Sequence, residues 1–363
     1  MRDPARKGAV ACPAPVAVAV GVLLSLTALA VLAKPSKQPA ISPSQHTDIH
    51  VHQVRQATLQ EHAVIWELPV GGGPPVAALL ALHGCSHSAG DFWPPSATCA
   101  DCLGLPEEVL IRRAALRRAM VVVAVSSADR RSGCWDVRGA ADSRALPKIV
   151  EAVLRREGLT ELPVYALGAS SGGAMALLLP REMPALRGVI AHIMAVPPSM
   201  LELPPGHRFP PALFVHMPRD ERTAQGVAAD LAALRAAGAA AEELRIRARP
   251  LTPQFLAFHA PASFSGENGS AVVDALREGG FLDADSLLLQ DPRRTADAWR
   301  AALAPLLPSA AMAPDAAPLP ELLNVAWAEH EIVSQHVSAA LEWVLAGGAR
   351  GIEELVAAAA QEP

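Results

Sequence analysis

Charge and aromatic side chains are both scarce in this 363-residue sequence. Charged residues make up 18% and aromatic residues 4%, with a single tyrosine. Low charge beside 51% hydrophobic content argues against a disordered chain, which needs the opposite balance. No basic stripe interleaved with aromatics is present and the formal net charge is −5, so nucleic acid is not expected as a partner. No internal repeat is visible, so repeat architectures drop out. The length allows one large α/β domain with insertions, or two smaller domains, around a sizeable core.

One long apolar run stands apart. Residues 16–33, VAVAVGVLLSLTALAVLA, hold no charge over 18 positions; Arg2, Arg6 and Lys7 precede them, Lys34 and Lys37 follow. A membrane-spanning helix needs roughly 17–25 residues and a signal-peptide core roughly 7–15. Length therefore predicts an uncleaved signal anchor, while the small residues Ala28, Ala30 and Ala33 keep a cleaved signal peptide open. The flanking charges and the polar linker 35–44 argue against a buried core helix. Residues 1–45 are thus expected to be the anchor or signal and linker, and 46–363 the folded domain. The chain is expected in the secretory pathway, single-pass anchored or secreted after cleavage.

Cysteine usage agrees with that route. Cys12 lies before the apolar run; Cys85, Cys99, Cys102 and Cys134 are an even number within a short part of the chain. In an oxidising lumen they would pair, in one of three connectivities. CADC at 99–102 also resembles a redox or zinc half-site, but no thioredoxin context or nearby partner ligands surround it, so disulfides are the expected state and no metal site is expected.

After the linker, residues 58–70 and 76–82 read as strands, then 107–119 as a helix, 120–126 as a buried strand and 141–157 as a helix. Further strands are expected at 164–167, 187–195, 212–217 and 243–249, and helices at 171–179 and 223–237. Strands alternating with helices imply a mostly parallel sheet with helices on both faces. Residues 251–320 break the rhythm, rich in Pro, Ala, Asp and Ser with helical fragments at 270–278 and 295–306, and read as an insertion or lid. Residues 321–345 read as one long amphipathic helix.

The chemistry gathers around Gly168-Ala169-Ser170-Ser171-Gly172. G-x-S-x-G puts its central serine on a cramped strand-to-helix turn that tolerates only small neighbours. Ser170 is that central residue. Ser171 opens the helix and offers its backbone N–H to an oxyanion, helped by the helix N-terminus. Upstream, LHGCSHSAGDF follows a strand, where a second oxyanion N–H belongs, from Cys85 or Ser86. Gly84 lets backbone approach a substrate carbonyl, while His83 and His87 read as hydrogen-bonding loop residues.

Together, LHGCSHSAGDF, VVVAVSS followed by CW, and GASSGGAM resemble the α/β-hydrolase superfamily. Within it they are similar to secreted esterases of the polyhydroxybutyrate-depolymerase and feruloyl-esterase type, and to uncharacterised plant and algal hydrolase-like proteins. The similarity spans roughly residues 60–220. It implies an α/β-hydrolase fold and a triad in the order Ser, acid, His. Asp220, just past the strand PALFVHM, is the acid this implies, with a helix cap as its alternative role; Asp283, Asp285 and Asp291 are weaker candidates. His330 is the implied base, His336 and His259 the alternatives, with about eighty residues separating His330 from the last visible strand. The expected reaction is acyl transfer from an ester to water through Ser170, with no metal or organic cofactor. A small-molecule ester or acyl substrate and a membrane, through residues 16–33, are the expected partners. A non-catalytic binding protein of the same fold, or a peptidase or acyltransferase with the same triad, are the alternatives.

Overall fold

The computed structural model describes residues 54–71 and 73–359. The apolar run at 16–33 and Cys12 lie outside the described residues. No helix among the described residues is long and apolar enough to cross a membrane.

Eight strands form one sheet: β1 Arg55–Leu59, β2 His62–Glu67, β3 Ala77–Leu82, β4 Met120–Val125, β5 Val164–Ala169, β6 Gly188–His192, β7 Ala212–His216 and β8 Ala241–Arg245. Their order across the sheet is β1-β2-β4-β3-β5-β6-β7-β8. Pairing is antiparallel for β1–β2 and β2–β4 and parallel from β4 through β8. β3 and β4 are buried along their whole length, which explains their unbroken apolar runs (AALLAL, MVVVAV): a parallel strand covered on both faces has no polar side to alternate with. The expected single strand at 58–70 is instead the β1–β2 hairpin. Gln60 and Glu61 take positive φ (49° and 65°), the turn geometry whose twist matches two-residue hairpins, and neither is a glycine that would have signalled it.

The helices are α1 Pro106–Arg117, α2 Ala141–Arg156, α3 Ser171–Leu178, α4 Glu221–Ala236, α5 Pro253–His259, α6 Pro261–Phe264, α7 Glu267–Glu278, α8 Ala296–Leu303, α9 Pro318–Trp327, α10 Val337–Leu345 and α11 Ile352–Ala359. Strand side chains alternate between two cores. Leu80, Val123, Ala166 and Phe214 meet α2, α3 and α4 through Ile149, Leu177 and Leu231. Leu79, Val122, Leu167 and Leu213 face the other way, towards Ile111 of α1 and Leu341 of α10. The helices α5 to α9 add Leu256, Leu276, Leu303 and Leu322 to this second core.

Two sequence expectations change here. β8 begins and ends earlier than the expected 243–249. The expected helix at 321–345 is two helices: α9 stops at Ala328, in the left-handed region (φ 57°), and α10 starts after His336, also left-handed (φ 63°). The intervening loop, 328–336, carries His330. Amphipathic spacing continues across the break, so periodicity alone did not reveal it.

Candidate active site

β5 ends at Ala169, and the chain enters α3 through Ser170 at φ 51°, ψ −116°. This backbone is unfavourable for a side-chain-bearing residue, costing about 1–3 kcal/mol, and persists only when neighbours fix it. Ser170 N–H donates to the His192 carbonyl (3.0 Å), and the Ser170 carbonyl accepts from Ala174 N–H (3.0 Å). The glycines are dictated by space. A Cβ on Gly168 would lie 2.1 Å from the Gly172 carbonyl oxygen, and one on Gly172 would lie 2.4 Å from the His83 carbonyl oxygen. The turn thrusts the Ser170 hydroxyl out of the sheet end.

Three sequence candidates meet there. Ser170 Oγ lies 3.1 Å from His330 Nε2, and His330 Nδ1 lies 2.5 Å from Asp220 Oδ2. Asp220 fills both roles considered for it: Oδ1 caps α4 by accepting Thr223 N–H (3.0 Å), while Oδ2 accepts the Thr223 hydroxyl (2.6 Å) as well as the imidazole. Burial alone would raise the Asp220 carboxyl; the hydrogen bonds from Thr223 and His330 outweigh it and hold the pKa below the usual carboxylate range. Carboxylate at Nδ1 implies that Nδ1 carries the proton and leaves Nε2 free to accept one from Ser170.

The loop bearing His330 is braced at several points. Arg293 donates to the His330 carbonyl (2.6 Å) and to Glu331 (2.9 Å), and Asn324 donates to Glu331 (3.0 Å). Arg219 lies 3.7 Å over the Trp327 ring and donates to its carbonyl. Ser334 N–H donates to Glu107 on α1.

The other candidates stand elsewhere. His259 is buried in α5, donating from Nδ1 to the Phe255 carbonyl (2.8 Å), with Nε2 3.3 Å from Glu107. His336 precedes α10 and meets Gln335 (3.1 Å). Asp283 and Asp291 accept turn N–H groups from Leu287 and Arg293, and Asp285 donates its N–H to Asp283. None of these five meets Ser170.

The loop after β3 packs against the serine. A Cβ on Gly84 would sit 3.8 Å from Ser170 Cβ and 3.7 Å from His87 Cδ2, so Gly84 separates the two. His83 is consumed structurally: Nε2 accepts Ser127 N–H (3.0 Å) and Nδ1 donates to the Gly84 carbonyl (2.6 Å). Burial pushes its pKa down to about 4. Ser86 N–H is spent on the Ser132 carbonyl (3.0 Å), which separates it from Cys85 as an oxyanion donor; no acceptor meets the Cys85 or Ser171 N–H among the described residues. The sulfurs of Cys85 and Cys134 stand at bonding distance (2.07 Å), as do those of Cys99 and Cys102 (1.92 Å). The first pair ties the Gly84 loop to Trp135, whose N–H approaches Ser171 Oγ (3.4 Å) and whose indole donates to the His83 carbonyl (3.0 Å).

Besides the buried His62–Asp142 pair (2.9 Å), sequence reasoning missed a His–Asp pair in the loop after β3. His87 Nδ1 lies 2.9 Å from Asp91 Oδ2, and Asp91 also receives Ser88 N–H and hydroxyl (3.0 and 3.1 Å). Burial opposes protonation of His87, but the Asp91 hydrogen bond and the nearby Glu108 charge outweigh it, lifting the pKa to about 9. The signal was present in SHSAGD: the serine and aspartate spacing is that of a reciprocal helix cap, and His87 and Asp91 are four apart.

No family model matches the chain, and no curated protein matches it. Solved structures do. A Thermus thermophilus protein, TT1662, is 22% identical over 55% of this chain and 90% of its own, with a TM-score of 0.38. The acetyl xylan esterase from Aspergillus awamori is 16% identical over 51% of this chain and 80% of its own, TM-score 0.40. A Pyrococcus furiosus esterase is 12% identical over 66% and 98%, TM-score 0.41. These are distant likenesses; the strand order, the strained turn at Ser170 and the hydrogen bonds around it are this chain's own.

Proposed function

We propose that the chain is a serine hydrolase of the α/β-hydrolase type that cleaves carboxylic esters. The observation that carries this reading is the hydrogen-bonded series Ser170–His330–Asp220, converging on a serine held at positive φ. Sequence separations of 160 and 110 residues make a chance alignment of these three side chains a poor explanation.

His330 Nε2 takes the Ser170 proton as the hydroxyl oxygen attacks the ester carbonyl, and Asp220 stabilises the imidazolium. The carbonyl oxygen, now anionic, rests on the N–H groups of Cys85 and Ser171, both without another acceptor. Collapse of the tetrahedral centre breaks the ester C–O bond, and the imidazolium gives its proton to the departing alcohol. Water then repeats the sequence on the acyl-enzyme and releases the acid. A cavity of about 630 Å³ adjoins Ser170 and His330, walled by Met194, Val196, Pro197 and Pro198, with Arg222 at its edge. Its apolar wall suits a short acyl or alcohol group. Residues 251–320 act as the lid, since α8 and the turn before it bring Trp299 and Arg293 to a second cavity beside His330's loop. Residues 16–33 hold the domain at a membrane or are removed on secretion.

Hydrolysis of p-nitrophenyl esters of two- to eight-carbon acids tests this. The wild type should turn them over with saturation, Ser170→Ala should not, and an anilide of the same acid should be cleaved far more slowly. Turnover unchanged in Ser170→Ala would remove the proposal, and preferred cleavage of the anilide would move it to peptidase chemistry.

A further inference from the structure

A cavity of about 470 Å³ opens between α1 and the loop at 93–98, and it shares no lining residue with the two cavities near the triad. Its charge has one sign. Arg112, Arg113 and Arg117 line it, and no Asp or Glu does among the described residues. Arg112 is 8% exposed and donates to the buried Glu67 (2.5 Å), which also accepts the Trp93 indole N–H (2.7 Å). Arg112 Nε has no acceptor. Burial, with Arg113 beside it, lowers the Arg112 pKa even against the Glu67 pairing. Arg113 and Arg117 are exposed and meet no carboxylate among the described residues. They stand four apart on α1, a spacing at which like charges repel. An anion between them would turn that repulsion into attraction.

The rest of the wall is apolar: Val54, Val70, Pro94 and Leu116. Val70, Val76 and Leu103 are three of the six large hydrophobic side chains exposed among the described residues, and all three belong to this region. Val70 lines the cavity. Val76 N–H donates to the Ala119 carbonyl just past α1. Leu103 precedes Gly104, where a Cβ would lie 2.5 Å from Pro94 Cα. Exposed apolar side chains beside unpaired arginines make a surface suited to anionic lipid. A small inorganic anion would use the guanidinium groups and leave the apolar side chains in water. Val54 is also the first described residue, and residues 34–53 join it to the apolar run at 16–33. Fully extended, that tether reaches at most about 70 Å.

We propose that this face docks on an anionic phospholipid surface, with one phosphate headgroup in the cavity against Arg113 and Arg117 and with Val70, Val76 and Leu103 meeting the lipid. Guanidinium forks pair with phosphate oxygens two at a time, and the buried Arg112 adds its charge behind them. The inference extends the membrane reading of residues 16–33 and does not depend on the esterase reading.

The test places the full chain in nanodiscs of phosphatidylcholine, with or without phosphatidylglycerol, and follows amide exchange by mass spectrometry. Phosphatidylglycerol should slow exchange over residues 93–117 by about tenfold, and raised salt should reverse the effect. Inorganic phosphate added to discs of phosphatidylcholine alone should not slow it. Arg113→Gln/Arg117→Gln should abolish the slowing while leaving the thermal midpoint and ester turnover unchanged. Arg155→Gln, exposed on α2, should retain it. Association with phosphatidylcholine discs reports on residues 16–33 separately: a chain that leaves those discs but is slowed by phosphatidylglycerol keeps the face and loses the anchor. Equal exchange in the two kinds of disc, slowing that survives in the double variant, or slowing by inorganic phosphate alone overturns the proposal.

Discussion

Two His–Asp pairs flank Gly84, and the same two side chains meet through the same ring nitrogen in both. His330 Nδ1 lies 2.5 Å from Asp220, and His87 Nδ1 lies 2.9 Å from Asp91. Their surroundings differ. The His330 side chain is 41% exposed and its Nε2 meets the Ser170 hydroxyl, whereas His87 is 16% exposed and its Nε2 has no hydroxyl within reach. Asp220 draws its remaining hydrogen bonds from Thr223 at the start of α4; Asp91 draws its own from Ser88 in a closed local cap. A carboxylate-bound imidazole is therefore a general device. What stands opposite Nε2 separates the two: His330 faces a hydroxyl on a strained turn, while His87 makes no hydrogen bond there among the described residues.

The sharpest way to break the comparison is to remove its nucleophile and base. Ser170→Ala and His330→Ala should each lower kcat on short esters by roughly 10³-fold or more. His87→Gln should keep activity within about tenfold, since His87 has no place in the proton path. A loss in His87→Gln as large as that in His330→Ala would reverse the two roles. The acids give the next effect. Asp220→Asn should cost about 10³- to 10⁴-fold in kcat by favouring the wrong tautomer of His330, while Asp91→Asn should leave kcat within about tenfold.

The cysteine pairs extend the contrast to the loop between the two histidines. Cys85–Cys134 closes a 49-residue separation and Cys99–Cys102 one of 3. Loop-closure entropy puts their contributions at about 4 and under about 2 kcal/mol, read as the loss of unfolding free energy in the double serine variants. Cys85→Ser/Cys134→Ser should also lower kcat more than it raises KM, because Cys85 supplies a proposed oxyanion N–H.

The smallest expected effect concerns histidines that have no carboxylate. Burial holds His83 down at about 4 and His192 at about 3. Between those values and the unfolded value of 6.5 the unfolded chain binds more protons. Stability from these groups is therefore full above pH 6.5 and falls as pH drops towards 4. Thermal midpoints measured across that range should decline, and His192→Gln should flatten part of the decline.

Much of the nucleophile side was legible in the sequence. The glycines around Ser170 are there because a Cβ would strike backbone, and such steric demands leave a fixed spacing. Asp220 could be placed because it follows a buried strand. His330 was nameable from chain order alone, but its setting was not. The break between α9 and α10 rests on two non-glycine residues in the left-handed region, held by contacts from Arg219, Arg293 and Glu107 that are distant in sequence. The hairpin at Gln60–Glu61 was hidden for the same reason. Buried Glu108 and Glu321 were unreadable because glutamate on an amphipathic helix reads as solvent-facing until the partner helix is in place.

The central claim is that Ser170 is a nucleophile activated by His330. Labelling the folded chain with a fluorophosphonate and mapping the adduct by mass spectrometry tests it most directly. The account predicts a single adduct on Ser170, absent in Ser170→Ala, strongly slowed in His330→Ala and retained in Ser171→Ala and His87→Gln. No adduct on the folded wild type, or an adduct that persists in Ser170→Ala, would contradict it.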